Sequence, residues 1–211
     1  KGSEMTKNSR MKTIALFNMY GTLFDYDGAM IRDLNELRAP EEPLIKNQNL
    51  WTMEKQPHMK ARMDLIKFKP GWWLDLKPIT LGFDIFKMAK EIGYECHILT
   101  KGPHKHSNAW SEKKDCIRKH FGEDVPVHIV SNKGLVYGAV LYDDYPEYMD
   151  MWKDARPRGL GIMPLNMGNE NYSRKGVIMA KIANLGIVRL ELEKQFALKI
   201  ESSKKELELF V

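Results

Sequence analysis

The chain has 211 residues, 43% hydrophobic and 29% charged, enough to bury one good core with a small appendage. Nothing approaches the run of about eighteen apolar residues that a transmembrane helix needs, and two cysteines are too few for a disulfide scaffold. The net charge of +5 is dispersed: pairs such as Lys113-Lys114, Arg118-Lys119, Arg174-Lys175 and Lys204-Lys205 never grow into longer basic runs, which favours a solvated basic surface over a nucleic-acid site.

The start, Lys1-Gly2-Ser3-Glu4, reads as a tag remnant with Met5 as the native start, and it lacks the apolar centre of a signal peptide. Residues 1–10 are expected to be disordered. Thr13–Phe17 is an apolar run that breaks at Gly21-Thr22, the pattern of a buried strand entering a tight loop. A helix follows over Ala29–Arg38, with Met30, Leu34 and Leu37 on one face, then loop-like residues 39–50. A second helix over His58–Phe68 ends at Pro70-Gly71.

The alternation becomes regular afterwards. Leu81–Ile92 is an amphipathic helix closed by Gly93, Tyr94–Leu99 a strand ending at Thr100, and Ser107–Phe121 a helix closed by Gly122. Val127–Val130, Ala139–Tyr142 and Leu160–Met163 read as three more strands. Strands alternating with helices imply an α/β fold, a doubly wound parallel sheet of about five strands with right-handed crossovers. Residues 11–28 and 75–172 form its core in this reading, 29–74 a small helical cap, and 173–211 a C-terminal helical extension. Within that extension Val188–Leu192 and Glu206–Phe210 also alternate as strands do, and a long helix is the favoured reading.

In a parallel sheet all strand ends project from one edge, where such folds bind ligands. Here the ends carry Asn18 and Tyr20, Thr100 and Lys101, Asn132 and Lys133, and Asp143 and Asp144. A hydroxyl, ammonium groups and a carboxylate pair suit a phosphate together with a hard cation: lysine is a compact charge for phosphoryl oxygens, and aspartates are oxygen ligands for Mg²⁺. Simpler readings stand beside these. Lys101 suits either solvent or phosphate, and Trp72-Trp73 either core packing or base stacking. His97 reads as a core or interface histidine. His104 and His106 lack a third partner at zinc spacing. Cys96 and Cys116 read as buried, reduced thiols, which points to a cytoplasmic protein.

Taken in order, these motifs resemble a known family. Asn18-Met19-Tyr20-Gly21-Thr22-Leu23 resembles the first motif of the haloacid-dehalogenase-like (HAD) phosphatases, Asp-x-Asp-Gly-Thr, with both aspartates replaced. Pro70-Gly71-Trp72-Trp73, Ile98-Leu99-Thr100, Lys119-His120-Phe121-Gly122, Asn132-Lys133 and Leu141-Tyr142-Asp143-Asp144-Tyr145-Pro146 are similar to motifs of the 5′(3′)-deoxyribonucleotidases within that superfamily. The similarity runs over roughly residues 12–165. The resemblance implies a Mg²⁺-dependent phosphomonoesterase acting on nucleoside monophosphates. Position 18 would be the nucleophile, forming an aspartyl-phosphate, and a metal ligand. Position 20 would be the general acid/base and would give the metal its backbone carbonyl. Thr100 and Lys133 would hold phosphate, one or both of Asp143 and Asp144 would complete the metal site, and Tyr26, Trp72 and Trp73 would enclose the base. Lys101, standing where the family has serine, is a further candidate for the phosphate on its charge.

Asn18 is neutral and a poor nucleophile, and Tyr20, with an ordinary pKa near 10, is ill matched to moving protons at neutral pH. Losing both aspartates should cost most of the rate. The chain therefore reads as an impaired nucleotidase, or alternatively as a HAD pseudoenzyme that binds a nucleotide or a protein partner. The asparagine fits either an introduced change that traps substrate or a natural non-catalytic binder. A homodimer through the C-terminal segment is left open.

Overall fold

The computed structural model describes residues 12–46, 50–102 and 105–208. The expected disordered start and His104 fall outside these. Six strands, β1 (Ile14–Phe17), β2 (Glu95–Thr100), β3 (Val127–Ile129), β4 (Val140–Tyr142), β5 (Leu160–Pro164) and β6 (Val177–Ala180), form one parallel sheet in the order β3-β2-β1-β4-β5-β6. The chain lays β2 and β3 on one side of β1 and then crosses to build β4, β5 and β6 on the other. The strand order therefore reverses between β1 and β4, and a crevice opens there at the carboxyl edge.

Alternation along the strands divides the core between the two faces. Ala15 and Phe17 join Ile98, Val140, Tyr142 and Ile162 on one side. Leu16 joins Leu99, Leu141 and Met163 on the other. The first face is covered by α4 (Thr80–Ile92) and the amino-terminal half of α7 (Leu185–Glu208), which seats Val188 and Leu192. The second is covered by α6 (Pro146–Ala155) through Met149 and Trp152. Helix α5 (Asn108–Phe121) buries Ala109, Cys116 and Ile117. Both cysteines are buried and reduced.

Helices α1 (Tyr26–Glu36), α2 (Leu50–Met53) and α3 (Pro57–Phe68) stand between the first loop and the rest of the core. Their buried side, including Met30, Leu34, Met59 and Met63, merges with the main cluster. Helix α4 presses closely on the loop after β1. A Cβ at Gly82 would lie 2.1 Å from the Thr22 carbonyl oxygen, so only glycine lets the two backbones meet.

The sheet has six strands, where the sequence suggested about five. Val177-Ile178-Met179-Ala180 falls within the segment read as helical, but Gly176 takes a left-handed φ of 75°, and the four residues pair with Gly161–Pro164 of β5. That pairing partner lies outside the local window, so a local pattern cannot show it. The long C-terminal helix is present, and Val188–Leu192 lies inside it. Two short helices were not expected. One is α2, and the other is α6, which opens on Pro146 at its first turn.

Candidate functional site

Asn18 follows β1 directly, and its N–H donates to the Tyr142 carbonyl at 2.8 Å, so the two central strand ends are locked side by side. The loop then folds back on itself: Leu23 and Phe24 both donate N–H to Met19 O, and the Thr22 hydroxyl donates to Asn18 O at 2.7 Å. Gly21 has a φ of 76°, and a Cβ there would sit 2.4 Å from Asp144 Oδ2. This combination of a left-handed turn and a close neighbour admits no side chain.

The strand-end residues meet as the parallel topology requires. Lys133, fully buried, donates to Asn18 Oδ1 at 2.9 Å and to Asp143 Oδ2 at 2.5 Å. Asp143 Oδ1 accepts the Tyr145 N–H at 3.1 Å. The Asn18 Nδ2 group donates to Tyr20 O at 2.9 Å and to Asp144 Oδ1 at 3.1 Å. Asn169 ties the Asp144 carbonyl to the loop after β5 at 3.0 Å. Burial, together with Asp143 beside it, pushes the Asp144 carboxyl up to about 7.

This cluster floors a cleft of about 620 Å³, walled by Tyr26 and Asp27 of α1, by Glu54, Lys60, Asp64 and Lys67 of the helical insertion, by Trp73, and by Thr100 and Lys101 after β2. Asn18, Tyr20 and Asp144 face into it, whereas Lys133 and Asp143 lie beneath. Trp72 is turned away: its indole N–H donates to Asp33 Oδ2 at 2.7 Å, and its ring meets Tyr26 edge-on. The two tryptophans stand at 86° to each other, so Trp73 is the one left to face a ligand, stacked at 27° on Tyr26.

Lys113 lies in the helix whose Lys113/Lys114 through Ile117 and Lys119-His120-Phe121-Gly122 resemble a family motif, but sequence reasoning assigned it no role at the site. It is 2% exposed, yet lines the cleft. Its ammonium donates to the Thr100 hydroxyl at 3.2 Å and to the Lys101 carbonyl at 2.5 Å, and it sits 4.6 Å from the Tyr20 ring centroid and 5.4 Å from that of Trp73. No carboxylate is among these contacts, and burial, with Lys133 nearby, pulls its pKa down to about 7. The signal in the sequence was a lysine on the apolar face of α5, in step with Ala109, Cys116 and Ile117. The preceding residue, Glu112, accepts the Gly71 and Trp73 N–H groups at 3.0 and 3.1 Å. One turn of α5 thus sets both the lysine and the aromatic wall.

The remaining expectations are placed as follows. Tyr20 is half-buried against Trp73, and its buried hydroxyl finds no hydrogen-bond partner among the described residues. Burial raises its pKa well above 10, so it holds its proton. Lys101 rests over the Tyr148 ring at 5.5 Å. His97 pairs with His128 at 3.0 Å across β2 and β3, away from the cleft. His106 lines the cleft, its ring tilted at 44° against Phe68 and with Asp64 at 3.8 Å. Among the described residues no group of three His, Cys, Asp or Glu side chains could hold a metal ion.

The Mg²⁺ that the resemblance implies would need oxygen from Asn18, Tyr20 and the aspartates. Here Asp143 is committed to Lys133 and to the Tyr145 N–H, and Asn18 presents N–H rather than oxygen to Tyr20 O and Asp144. The residues present do not fit that ion.

A parallel sheet with this strand order, a glycine-threonine loop after its first strand, and a buried lysine meeting two adjacent aspartates at the switch point define a HAD-type phosphatase architecture. Residues 12–174 match the 5′ nucleotidase, deoxy (pyrimidine), cytosolic type C protein (NT5C) family, and the chain belongs to it. Two solved structures share the fold. A putative haloacid dehalogenase-like hydrolase from Burkholderia xenovorans LB400 is 15% identical, covering 86% of this chain and 98% of that one with a TM-score of 0.51. A HAD hydrolase, family IA, variant 3, from Entamoeba histolytica HM-1:IMSS is 13% identical, covering 88% and 99% with a TM-score of 0.51. No curated protein matches the chain.

Proposed function

We propose that this member of the nucleotidase family binds a nucleoside monophosphate in the cleft and turns it over only near background. The family and fold make it phosphomonoesterase-like, with a small phosphorylated ligand. The observation that carries the finer reading is Lys113: a buried ammonium beside Thr100, without a carboxylate, at the foot of an aromatic wall. A phosphate set there would gain hydrogen bonds from Thr100 and Lys113, with Lys101 at the rim and the charge of Lys133 below. The base would lie against Trp73 and Tyr26. Among the described residues no helix is long and apolar enough to cross a membrane.

Turnover of the kind the family resemblance implies would need a carboxylate at position 18 to attack phosphorus and an acid at position 20 to protonate the leaving oxygen, with Mg²⁺ supplying the countercharge. Asn18 offers a neutral amide whose oxygen is held by Lys133. Tyr20, its pKa raised by burial, gives up a proton to the leaving oxygen far less readily than a carboxylic acid in that position would. Acid–base catalysis alone is worth about 10²–10⁴-fold, so the unmodified chain should show near-background hydrolysis of deoxynucleoside monophosphates. The Asn18→Asp/Tyr20→Asp variant with Mg²⁺ should be faster by at least about 10²-fold. A restored variant that stays inert across phosphomonoesters would sink the nucleotidase lineage of the site.

A further inference from the structure

The hydrogen-bond arrangement around Asn18 fixes more than its lack of nucleophilicity. Lys133 Nζ can only donate, and the Tyr20 backbone carbonyl can only accept. With Lys133 at 2.9 Å from one end of the Asn18 carboxamide, that end has to be oxygen, and the NH₂ end then faces Tyr20 O and Asp144 Oδ1. Turning the amide over would set two donors about 3 Å apart at Lys133 and leave the Tyr20 carbonyl facing an oxygen, so both ends would lose their hydrogen bonds. The orientation is therefore locked from both ends. An aspartate in the same position would offer oxygen in both directions, one to the lysine and one to a cation.

We infer that the Asn18 carboxamide occupies the cation's seat, its two N–H bonds joining Tyr20 O to Asp144, so that this site holds its shape without a divalent ion and does not bind one. Mg²⁺ demands oxygen ligands at about 2.0–2.1 Å in near-octahedral array. An N–H pointing at the same place excludes it by charge and by space. Asp143 offers no substitute, because both its oxygens are engaged by Lys133 and the Tyr145 N–H. The inference rests on these contacts alone and stands whether or not the ligand is a nucleotide.

The test is Mn²⁺ binding to the full chain, followed by the loss of the free aqua-ion signal in electron paramagnetic resonance. Only ions released in Asp144→Asn count as bound at this seat. The unmodified chain should hold none, and Asn18→Asp about one per molecule. An Asp144-dependent ion in the unmodified chain overturns the inference, as does a folded Asn18→Asp variant that binds none. Should either variant fail to fold, the unmodified chain decides alone. Its Asn18 side-chain amide resonances should survive addition of substoichiometric Mn²⁺ unbroadened, and selective broadening of them contradicts the inference.

Discussion

Replacing Lys113 by methionine should make the protein more stable, and by an amount that depends on pH. The ammonium is held in a nearly dry site with no carboxylate, and its pKa falls from 10.5 to about 7. A lysine with a depressed folded-state pKa opposes folding at every pH below its unfolded value. The cost is complete below about pH 7 and fades as the pH rises towards 10.5. At about 1.36 kcal/mol per pH unit, the full cost has an upper limit of about 5 kcal/mol, of which about 2 kcal/mol remains at pH 9. Methionine has similar bulk and suits the Tyr20 and Trp73 rings, but it leaves the Lys101 carbonyl without its donor, which costs about 1–3 kcal/mol. With that penalty at about 2 kcal/mol, the net gain near pH 6 is at most about 3 kcal/mol, and near pH 9 it is close to zero. For a chain of this size that corresponds to a melting temperature higher by up to about 6–12 °C at pH 6, with the difference closing by pH 9. Paired thermal melts of the two proteins at both pH values measure it. A difference that is the same at pH 6 and pH 9, or an unmodified chain that is the more stable at pH 6, refutes the reasoning. The same variant should bind inorganic phosphate more weakly, because the group that burdens the fold is the one reserved for the ligand.

Three further outcomes follow from single contacts. Lys133→Met should destabilise by about 3–5 kcal/mol in urea titration, since it strands the buried Asp143 carboxylate, and most of that loss should return in Lys133→Met/Asp143→Leu. Equal stability of the single and double variants would contradict the pairing. Gly82→Ala should cost about 1–3 kcal/mol by overpacking, because its methyl meets the Thr22 carbonyl, and thermal melting measures that loss. Trp152→Ala should cost about 3–5 kcal/mol, as the indole fills the layer between α6 and the sheet; a loss below 1 kcal/mol in urea would show that this face is not packed as described.

Much of the architecture was legible because a parallel sheet makes local signals add up. Apolar runs ending in Gly21, Thr100 and Asp143 had to finish at one edge, so their terminal residues could be brought together without coordinates. What escaped depends on contacts remote in sequence. Val177–Ala180 becomes a strand by pairing with β5, although its neighbours read as helical. Trp72 and Trp73 are alike in sequence, but Asp33 captures one indole and leaves the other to the cleft. Lys113 was visible as a misplaced charge on an apolar helix face, and its significance came only from its being set beside Thr100. The direction of the Asn18 amide was beyond sequence altogether, because it is decided by a lysine that arrives from the turn after β3.

The central claim, binding in this cleft with turnover near background, is met most directly by phosphorus NMR. Deoxynucleoside monophosphates would be mixed with equimolar unmodified chain in the presence of Mg²⁺. The account predicts that at least one nucleotide's phosphorus resonance shifts or broadens on binding and that no orthophosphate accumulates over hours. Conversion of most of a nucleotide to orthophosphate within hours, or resonances unchanged for every nucleotide tried, would contradict it.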